Sequence, residues 1–104
     1  MKSITAKELS HLIKDKKDIR LIDVREQYEH DEFNIGGTLI PLGEVVKYVD
    51  TIEKEKPVVI YCRRGIRSQL AIQRLQEKFP FKNLINLIGG TEAWKEDVNN
   101  VPTV

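Results

Sequence analysis

The most constraining feature of this 104-residue sequence is a turn that begins with its only cysteine. Cys62 opens the segment Cys62-Arg63-Arg64-Gly65-Ile66-Arg67. The run Val58–Tyr61 before it is typical of a fully buried strand, and the apolar periodicity after it is typical of a helix. A short turn between such elements points backbone N–H groups and a helix N-terminus toward the cysteine. The pattern therefore predicts a thiolate nucleophile at Cys62 rather than a packing residue.

Positive charge is concentrated in the same turn. The chain has 17 Lys and Arg against 16 Asp and Glu, but without its three turn arginines it has 14 against 16. A formal net charge of +1 gives no general reason to expect nucleic acid or a membrane surface as partner. We expect a small anionic substrate to bind at Arg63, Arg64, Gly65, Ile66 and Arg67. Arg67 is expected to point inward, and Arg63 and Arg64 to face outward.

Strand-like and helix-like segments alternate along the whole chain. The spacing predicts longer helices at Ala6–Lys14, Gly43–Lys54 and Ser68–Phe79 and strands at Ile19–Val24, Thr38–Ile40, Val58–Tyr61 and Leu84–Ile88. The expected helix N-caps are Thr5, Ser68 and Thr91, and the first helix is expected to bury Leu9, Leu12 and Ile13. Residues 1–104 are predicted to form one α/β domain, with a mostly parallel sheet of about five strands and helices on both faces.

Two candidate site residues lie at carboxyl ends of predicted strands. In open parallel sheets ligands bind beyond these ends, so we expect Asp23 to approach Cys62. For Asp23 and Arg25 a structural ion pair is favoured over direct substrate binding. His11 and His30 are interpreted as exposed residues, and Trp94 as a core residue.

Cysteine and histidine usage limits the other chemistries. Two His and one Cys at scattered positions give no metal-ligand spacing, so no metal is expected. One cysteine forbids an intramolecular disulfide, and neither a signal peptide nor a membrane span is evident. A cytoplasmic location and a monomer or weak dimer are the expectations.

The length of the turn distinguishes two cysteine chemistries. Cysteine phosphatases use Cys-x5-Arg, usually after a His, whereas here Cys62 and Arg67 are one residue closer and Tyr61 comes first. The tighter ring fits a persulfide sulfur better than a phosphoryl group. No Asp in the turn is available as a general acid, so phosphatase activity is the less favoured interpretation.

Four segments in order along the chain resemble the signatures of a single-domain rhodanese. They are Leu21–Glu26, Ile40–Leu42, Val59–Ser68 and Asn86–Trp94. The resemblance implies the three-layer fold of that family and a sulfurtransferase activity. In that chemistry Cys62 takes the outer sulfur of thiosulfate or another donor as a persulfide, and passes it to a nucleophile such as cyanide or a protein thiol. The resemblance implies neither a metal nor an organic cofactor, and Asp23, Arg25 and Ser68 are assigned supporting roles.

One segment departs from the common pattern of that family. Residues 32–39 lack the family's usual Gly-His-Ile-x-Gly-Ala and instead resemble rhodanese domains fused to adenylating enzymes that activate sulfur-carrier proteins. A protein-to-protein sulfur relay, serving a sulfur carrier or tRNA thiolation, is therefore an alternative. A non-catalytic interaction module of the same fold is the third, although the intact Cys62 and arginines disfavour it.

Overall fold

The structure is a computed structural model, and it describes residues 1–99. The strands are β1 (Lys2–Ile4), β2 (Arg20–Asp23), β3 (Thr38–Leu39), β4 (Val58–Tyr61) and β5 (Leu84–Leu87). The α-helices are α1 (Ala6–Lys14), α2 (Gln27–Glu32), α3 (Ile66–Lys78) and α4 (Gly90–Trp94). A 3₁₀ helix covers Leu42–Thr51, and a π-helical turn, Lys95–Asn99, follows α4.

The five strands form one parallel sheet in the order β1-β5-β4-β2-β3. The central strand β4 is buried along its whole length, which its unbroken apolar sequence requires. Asp23 is aligned with Tyr61, so the carboxyl ends of β2 and β4 meet at the same edge of the sheet. The predicted α/β fold with a five-stranded, mostly parallel sheet is confirmed.

Helices cover both faces of the sheet because successive strand residues point to opposite sides. On one face Ile60 and Cys62 pack with the 3₁₀ helix and α3. On the other face Val59 and Tyr61 pack with α1, and Trp94 of α4 lies partly buried against them. Between these two apolar layers, the β4–α3 connection lies at the carboxyl ends of the strands.

Two predictions at the N-terminal end need correction. Strand β1 was not predicted from the sequence. It is an edge strand of only three residues, and Ile4 alone among them is buried. Helix α1 has the predicted limits and buries Leu9, but Ile13 is 39% exposed and Leu12 is only half-buried. The apolar stripe of this helix is therefore narrower than its sequence indicates.

The predicted α-helix at Gly43–Lys54 is instead a 3₁₀ helix over Leu42–Thr51. Apolar residues of this helix and its C-cap fall in two rows spaced by three, Leu42 and Val45 in one, and Val46, Val49 and the C-cap residue Ile52 in the other. Spacing by three suits a 3₁₀ helix, in which side chains three residues apart lie on the same side. The β-branched valines also have low α-helical propensity, so tertiary packing decides the conformation.

The starts of the last two predicted helices are also wrong. Helix α3 begins at Ile66 with Gly65 as its N-cap, and α4 begins at Gly90 with Gly89 as its N-cap. Neither Ser68 nor Thr91 therefore caps a helix, and both side chains are buried. Helix α3 is the longest, with 13 residues, and within residues 1–99 no helix combines the length and apolar character needed to cross a membrane.

The N-terminus of α1 yields a prediction about stability. Thr5 Oγ1 accepts from the Glu8 N–H at 3.1 Å, and Glu8 Oε1 accepts from the Thr5 N–H at 2.9 Å. Replacement Thr5→Ala removes one half of this capping box, so we expect a loss of about 1 kcal/mol in the free energy of unfolding. Ser10→Ala in the same helix is the control and should cost less, because Ala has the higher helix propensity. Urea unfolding of both variants is the measurement, and equal losses would contradict the cap.

Candidate active site

The loop between β4 and α3 forms around Cys62 because Gly65 reverses the chain. Gly65 has φ +94°, in the left-handed region that favours glycine, and α3 starts at the next residue. The loop is therefore short, and the first N–H groups of α3 face back toward the end of β4. Ile66 is 67% exposed and contributes an apolar side chain to the rim of the loop.

The sulfur of Cys62 lies within hydrogen-bonding distance of this loop and helix. The Gly65 N–H donates to Sγ at 3.1 Å and the Ser68 N–H at 3.4 Å, while Ser68 Oγ lies 3.5 Å from Sγ. Cys62 is only 1% exposed and also contacts the apolar core beneath it. A buried thiol surrounded by N–H donors differs from an ordinary core cysteine, since the donors favour its anion.

These contacts lower the pKa of the thiol. Burial acts first and would raise the pKa of Cys62, but hydrogen bonds from Ser68, Gly65 and Arg64 outweigh it and lower the pKa from its ordinary value. Ser68 contributes through its side chain and its N–H, the other two residues through their N–H groups. Three of these donors are backbone N–H groups fixed by the fold, and the fourth is the Ser68 hydroxyl.

The turn after β5 holds the loop in place from beneath. The N–H groups of Thr91 and Glu92 donate to the carbonyl oxygens of Cys62 at 2.9 Å and Arg63 at 3.0 Å. A Cβ at Gly90 would overlap the Cys62 carbonyl, so only glycine permits this close approach. From the sequence, Gly90 was predicted only as part of a turn, although the Gly89-Gly90 pair after the next strand was a signal for such close packing.

Two of the three loop arginines are paired with carboxylates. Arg67 makes two hydrogen bonds to Glu29 of α2, at 2.7 and 2.9 Å, and Arg63 makes one to Glu92 of α4 at 2.8 Å. Arg63 and Arg64 are exposed, as expected. The Arg67 side chain is half-buried, which agrees with the expected inward direction. Its guanidinium is nevertheless directed at Glu29 and has no hydrogen bond to the sulfur. No local sequence pattern predicts either carboxylate, because both are distant in the chain from their arginines.

The ion pair with Arg67 keeps Glu29 charged. The Arg67 guanidinium lowers the pKa of Glu29 to about 2, and Glu29 in turn raises the pKa of Arg67. This carboxylate therefore stays ionised throughout the neutral pH range and offsets the charge of Arg67. The fixed attraction for an anion at Cys62 then comes mainly from backbone N–H groups, with Arg64 as an exposed cation beside them.

Asp23 and Arg25 form the ion pair that was the favoured interpretation. Arg25 donates to both carboxylate oxygens of Asp23, at 2.9 and 2.8 Å, and also to the Phe33 carbonyl at 2.6 Å. Both residues are buried, and the pair joins β2 to the segment after α2. His30 is not an exposed residue, since its Nδ1 lies 2.9 Å from Asp23 Oδ2 and its side chain is only 19% exposed. His11 is exposed as expected.

The backbone of Asp23 lies near that of Cys62, but its side chain does not face the cysteine. Its register partner is Tyr61, so the Asp23 side chain lies on the face of the sheet opposite to that of Cys62. The Tyr61 hydroxyl donates to the Gly36 carbonyl at 2.9 Å and accepts from the Ile35 N–H at 3.2 Å. Burial raises the pKa of Tyr61 to about 12, so this hydroxyl stays neutral and ties the segment at 32–39 to the strand that ends at the cysteine.

Ser68 is directed toward the sulfur because α3 starts two residues before it. As the third residue of the helix it is fully buried, and its hydroxyl also hydrogen-bonds the Asn86 side chain of β5. Asn86 is a further site residue that sequence analysis did not single out. The signal available was a polar residue at an inward position of a buried strand.

A surface cavity of about 360 Å³ opens beside the loop. Helices α2 and α4 form its walls, with Tyr28, Glu32, Arg63 and Lys95 among the lining residues. It reaches the loop at Arg63. Within residues 1–99 no three His, Cys, Asp or Glu side chains converge as metal ligands would.

The fold and the loop define an α/β protein with a buried thiol in a cradle of backbone N–H groups. The family model of the rhodanese-like domain matches residues 5–97. The chain therefore belongs to the rhodanese-like domain family.

Individual relatives agree with this assignment. The chain is 40% identical over 94 residues to "Thiosulfate sulfurtransferase GlpE" of Coxiella burnetii, covering 86% of this chain and 87% of that protein. It is 33% identical over 88 residues to "Adenylyltransferase and sulfurtransferase MOCS3" of Drosophila willistoni, covering 76% of this chain and 19% of that protein. The crystal structure of a rhodanese-like domain protein from Staphylococcus aureus matches with a TM-score of 0.80 and 28% identity, over 90% of this chain and 91% of that chain.

The position of the Gly65 N–H yields a prediction about reactivity. In Gly65→Ala the positive φ is strained, and the new Cβ would lie 3.3 Å from both the Leu87 carbonyl oxygen and the Gly89 nitrogen. We expect the loop to shift and the thiolate to lose its shortest hydrogen bond, which should slow alkylation of Cys62 at pH 7 by about tenfold. Iodoacetamide kinetics on the folded protein are the measurement. Gly43→Ala is the control because a Cβ there meets no atom within 4 Å, and equal rates in the two variants would refute this role.

Proposed function

We propose that this chain is a sulfurtransferase that carries sulfur on Cys62. It accepts sulfane sulfur from thiosulfate or another anionic donor and delivers it to a thiophilic acceptor. The observation that carries the proposal is the buried thiol with Gly65 and Ser68 N–H donors at 3.1 and 3.4 Å. Membership of the rhodanese-like family and the 40% identity to a protein named thiosulfate sulfurtransferase support the same activity.

The chemistry follows from the charge of the thiolate. Cys62 Sγ attacks the outer sulfur of thiosulfate, an S–S bond forms, and the S–S bond of the donor breaks with its electron pair leaving on sulfite. The product is a Cys62 persulfide whose outer sulfur lies toward the loop N–H groups. Cyanide or a thiolate then attacks that outer sulfur, and the departing electron pair restores the Cys62 thiolate. The N–H donors stabilise negative charge at both stages, and no metal or organic cofactor is required.

The loop residues have distinct proposed roles. Gly65 and Ser68 hold the sulfur, Arg64 with Arg63 and Arg67 attracts the donor, and Ile66 lies on the rim where the acceptor arrives. The buried ion pair of Asp23 and Arg25 supports the strand end without contact to the substrate.

A protein-to-protein sulfur relay is the second candidate. The MOCS3 relative combines two activities in its name, and the chain spans about a fifth of its length. The pairing of Arg63 and Arg67 with carboxylates also weakens the attraction for a small dianion, while exposed Ile66 beside the thiol suits contact with a protein. Fast persulfide transfer from a cysteine desulfurase together with poor thiosulfate kinetics would favour this role. A non-catalytic module would require that Cys62 gain no sulfur from any donor.

We further propose that residues 1–104 hold one domain that acts in the cytoplasm as a monomer or weak dimer. The family match over residues 5–97 supports one domain. Thiols are kept reduced in the cytosol, which agrees with a free Cys62 and supports the location.

Loss of the thiol tests the proposed activity directly. Cys62→Ser should abolish thiocyanate formation from thiosulfate and cyanide, because no other cysteine can carry the sulfur. Intact-mass measurement after exposure to thiosulfate should show one added sulfur atom in the unaltered protein and none in the variant. Circular dichroism checks that the fold survives. Turnover that persists in Cys62→Ser would end the proposal.

The carboxylate of Glu29 should limit donor affinity. Glu29→Gln removes its negative charge and frees Arg67, so the KM for thiosulfate should fall about fivefold at low ionic strength. Since the pKa of Glu29 is about 2, the effect should be the same throughout neutral pH.

The matched control is Glu53→Gln. Glu53 pairs with Arg20 at 2.7 Å, at the amino end of β2 and therefore at the opposite edge of the sheet. Its replacement should leave the KM unchanged. A KM that rises in Glu29→Gln, or that falls equally in both variants, would contradict the prediction, because it would show that releasing Arg67 from Glu29 does not increase its attraction for the donor.

A further inference from the structure

The Ser68 hydroxyl lies between two groups that compete for its hydrogen. Ser68 Oγ hydrogen-bonds Asn86 Oδ1 and lies 3.5 Å from Cys62 Sγ. All three side chains are buried, at 0%, 4% and 1% exposure for Ser68, Asn86 and Cys62. They join β5 to the sulfur through the first turn of α3.

The hydroxyl cannot satisfy both neighbours at once. A serine hydroxyl has one hydrogen, whereas an amide oxygen and a thiolate both only accept. With Oδ1 facing Ser68, the hydroxyl donates to Asn86 and presents its lone pairs to Sγ, which suits a neutral S–H donor. With the amide reversed, its NH₂ donates to Ser68 Oγ and the hydroxyl is free to donate to a thiolate.

We propose that Asn86 is a positioning residue whose side-chain amide reverses with the charge of Cys62. Its oxygen faces Ser68 when Cys62 is a thiol, and its NH₂ faces Ser68 when Cys62 is a thiolate or a persulfide anion. The persulfide part rests on the proposed function, whereas the thiol and thiolate parts do not.

The surroundings of Asn86 permit this half-turn. Among the described residues no hydrogen bond holds its Nδ2, so reversal breaks none there. The neighbouring backbone is Gly65, where a Cβ would come within 3.7 Å of Nδ2. Since 3.7 Å is an ordinary van der Waals distance, the amide is not tightly packed on this side.

The other charges around the sulfur stay constant while Cys62 titrates. From α3 and the loop these are Arg67, with its pKa raised by Glu29, Arg63, with its pKa raised by Glu92, and the exposed Arg64. The pKa values of the two carboxylates, contributed by α2 and α4, are lowered by the same arginines. A change in the pKa of Cys62 upon substitution at Asn86 can therefore be assigned to the path through Ser68 or to charge added at Asn86.

A double-mutant cycle separates these two effects. The pKa of Cys62 is measured from thiolate ultraviolet absorbance in the unaltered protein, Ser68→Ala, Asn86→Asp and the double variant. A carboxylate at position 86 only accepts, so it holds the Ser68 hydroxyl away from the sulfur permanently. We expect Ser68→Ala to raise the pKa of Cys62 by about one unit in the natural background, a tenfold lower acidity. In the Asn86→Asp background the same change should leave the pKa unchanged or lower it. An equal rise in both backgrounds would overturn the proposal.

A second measurement needs no substitution at Asn86. In the ¹⁵N-labelled protein the side-chain NH₂ signals of Asn86 should shift at the pH at which Cys62 ionises, and the shift should be absent in Cys62→Ser. Signals that stay constant across that pH would overturn the proposal even if Asn86→Asp does not fold. Failure of sulfur transfer would appear separately, as an unaltered protein that gains no sulfur from thiosulfate although both titrations behave as expected.

Discussion

The set of N–H groups directed at one sulfur is the interaction on which the site depends. It exists because β4 ends at Cys62, Gly65 adopts a left-handed conformation and α3 starts immediately afterwards. Burial works against a charged sulfur, and the hydrogen bonds must exceed that penalty to lower its pKa. Every other part of the site either holds this loop in position or adjusts the charge around it.

The two faces of the sheet divide these tasks. On the cysteine face, Ser68 and Asn86 connect the sulfur to the neighbouring strand. On the opposite face, the buried pair of Asp23 and Arg25 fixes the end of β2 and reaches the segment after α2. The reactive cysteine and the ion pair that stabilises the strand end thus lie on opposite faces of the sheet, at the same strand ends. This arrangement lets a chain of 104 residues accommodate both.

Local patterns predicted the parts of the structure that are locally determined. The alternation of apolar runs gave the sheet, and the strand–turn–helix pattern at Cys62 located the loop. Contacts between distant segments could not be read in this way, so the partners of Arg63 and Arg67 were missed. The inward direction of Ser68 was missed because it depends on α3 starting at Ile66 rather than at Ser68 itself. At Leu42–Thr51 the spacing of the apolar residues is compatible with both an α-helix and a 3₁₀ helix, and tertiary packing selects the 3₁₀ helix.

The near-complete burial of Cys62 has a consequence for selectivity by size. Only 1% of the Cys62 surface is accessible, so a bulky disulfide meets the rim of the loop before it reaches the sulfur. A small anion such as thiosulfate presents one terminal sulfur and meets less of this steric barrier. The same burial disfavours thiol–disulfide exchange between Cys62 and bulky disulfides.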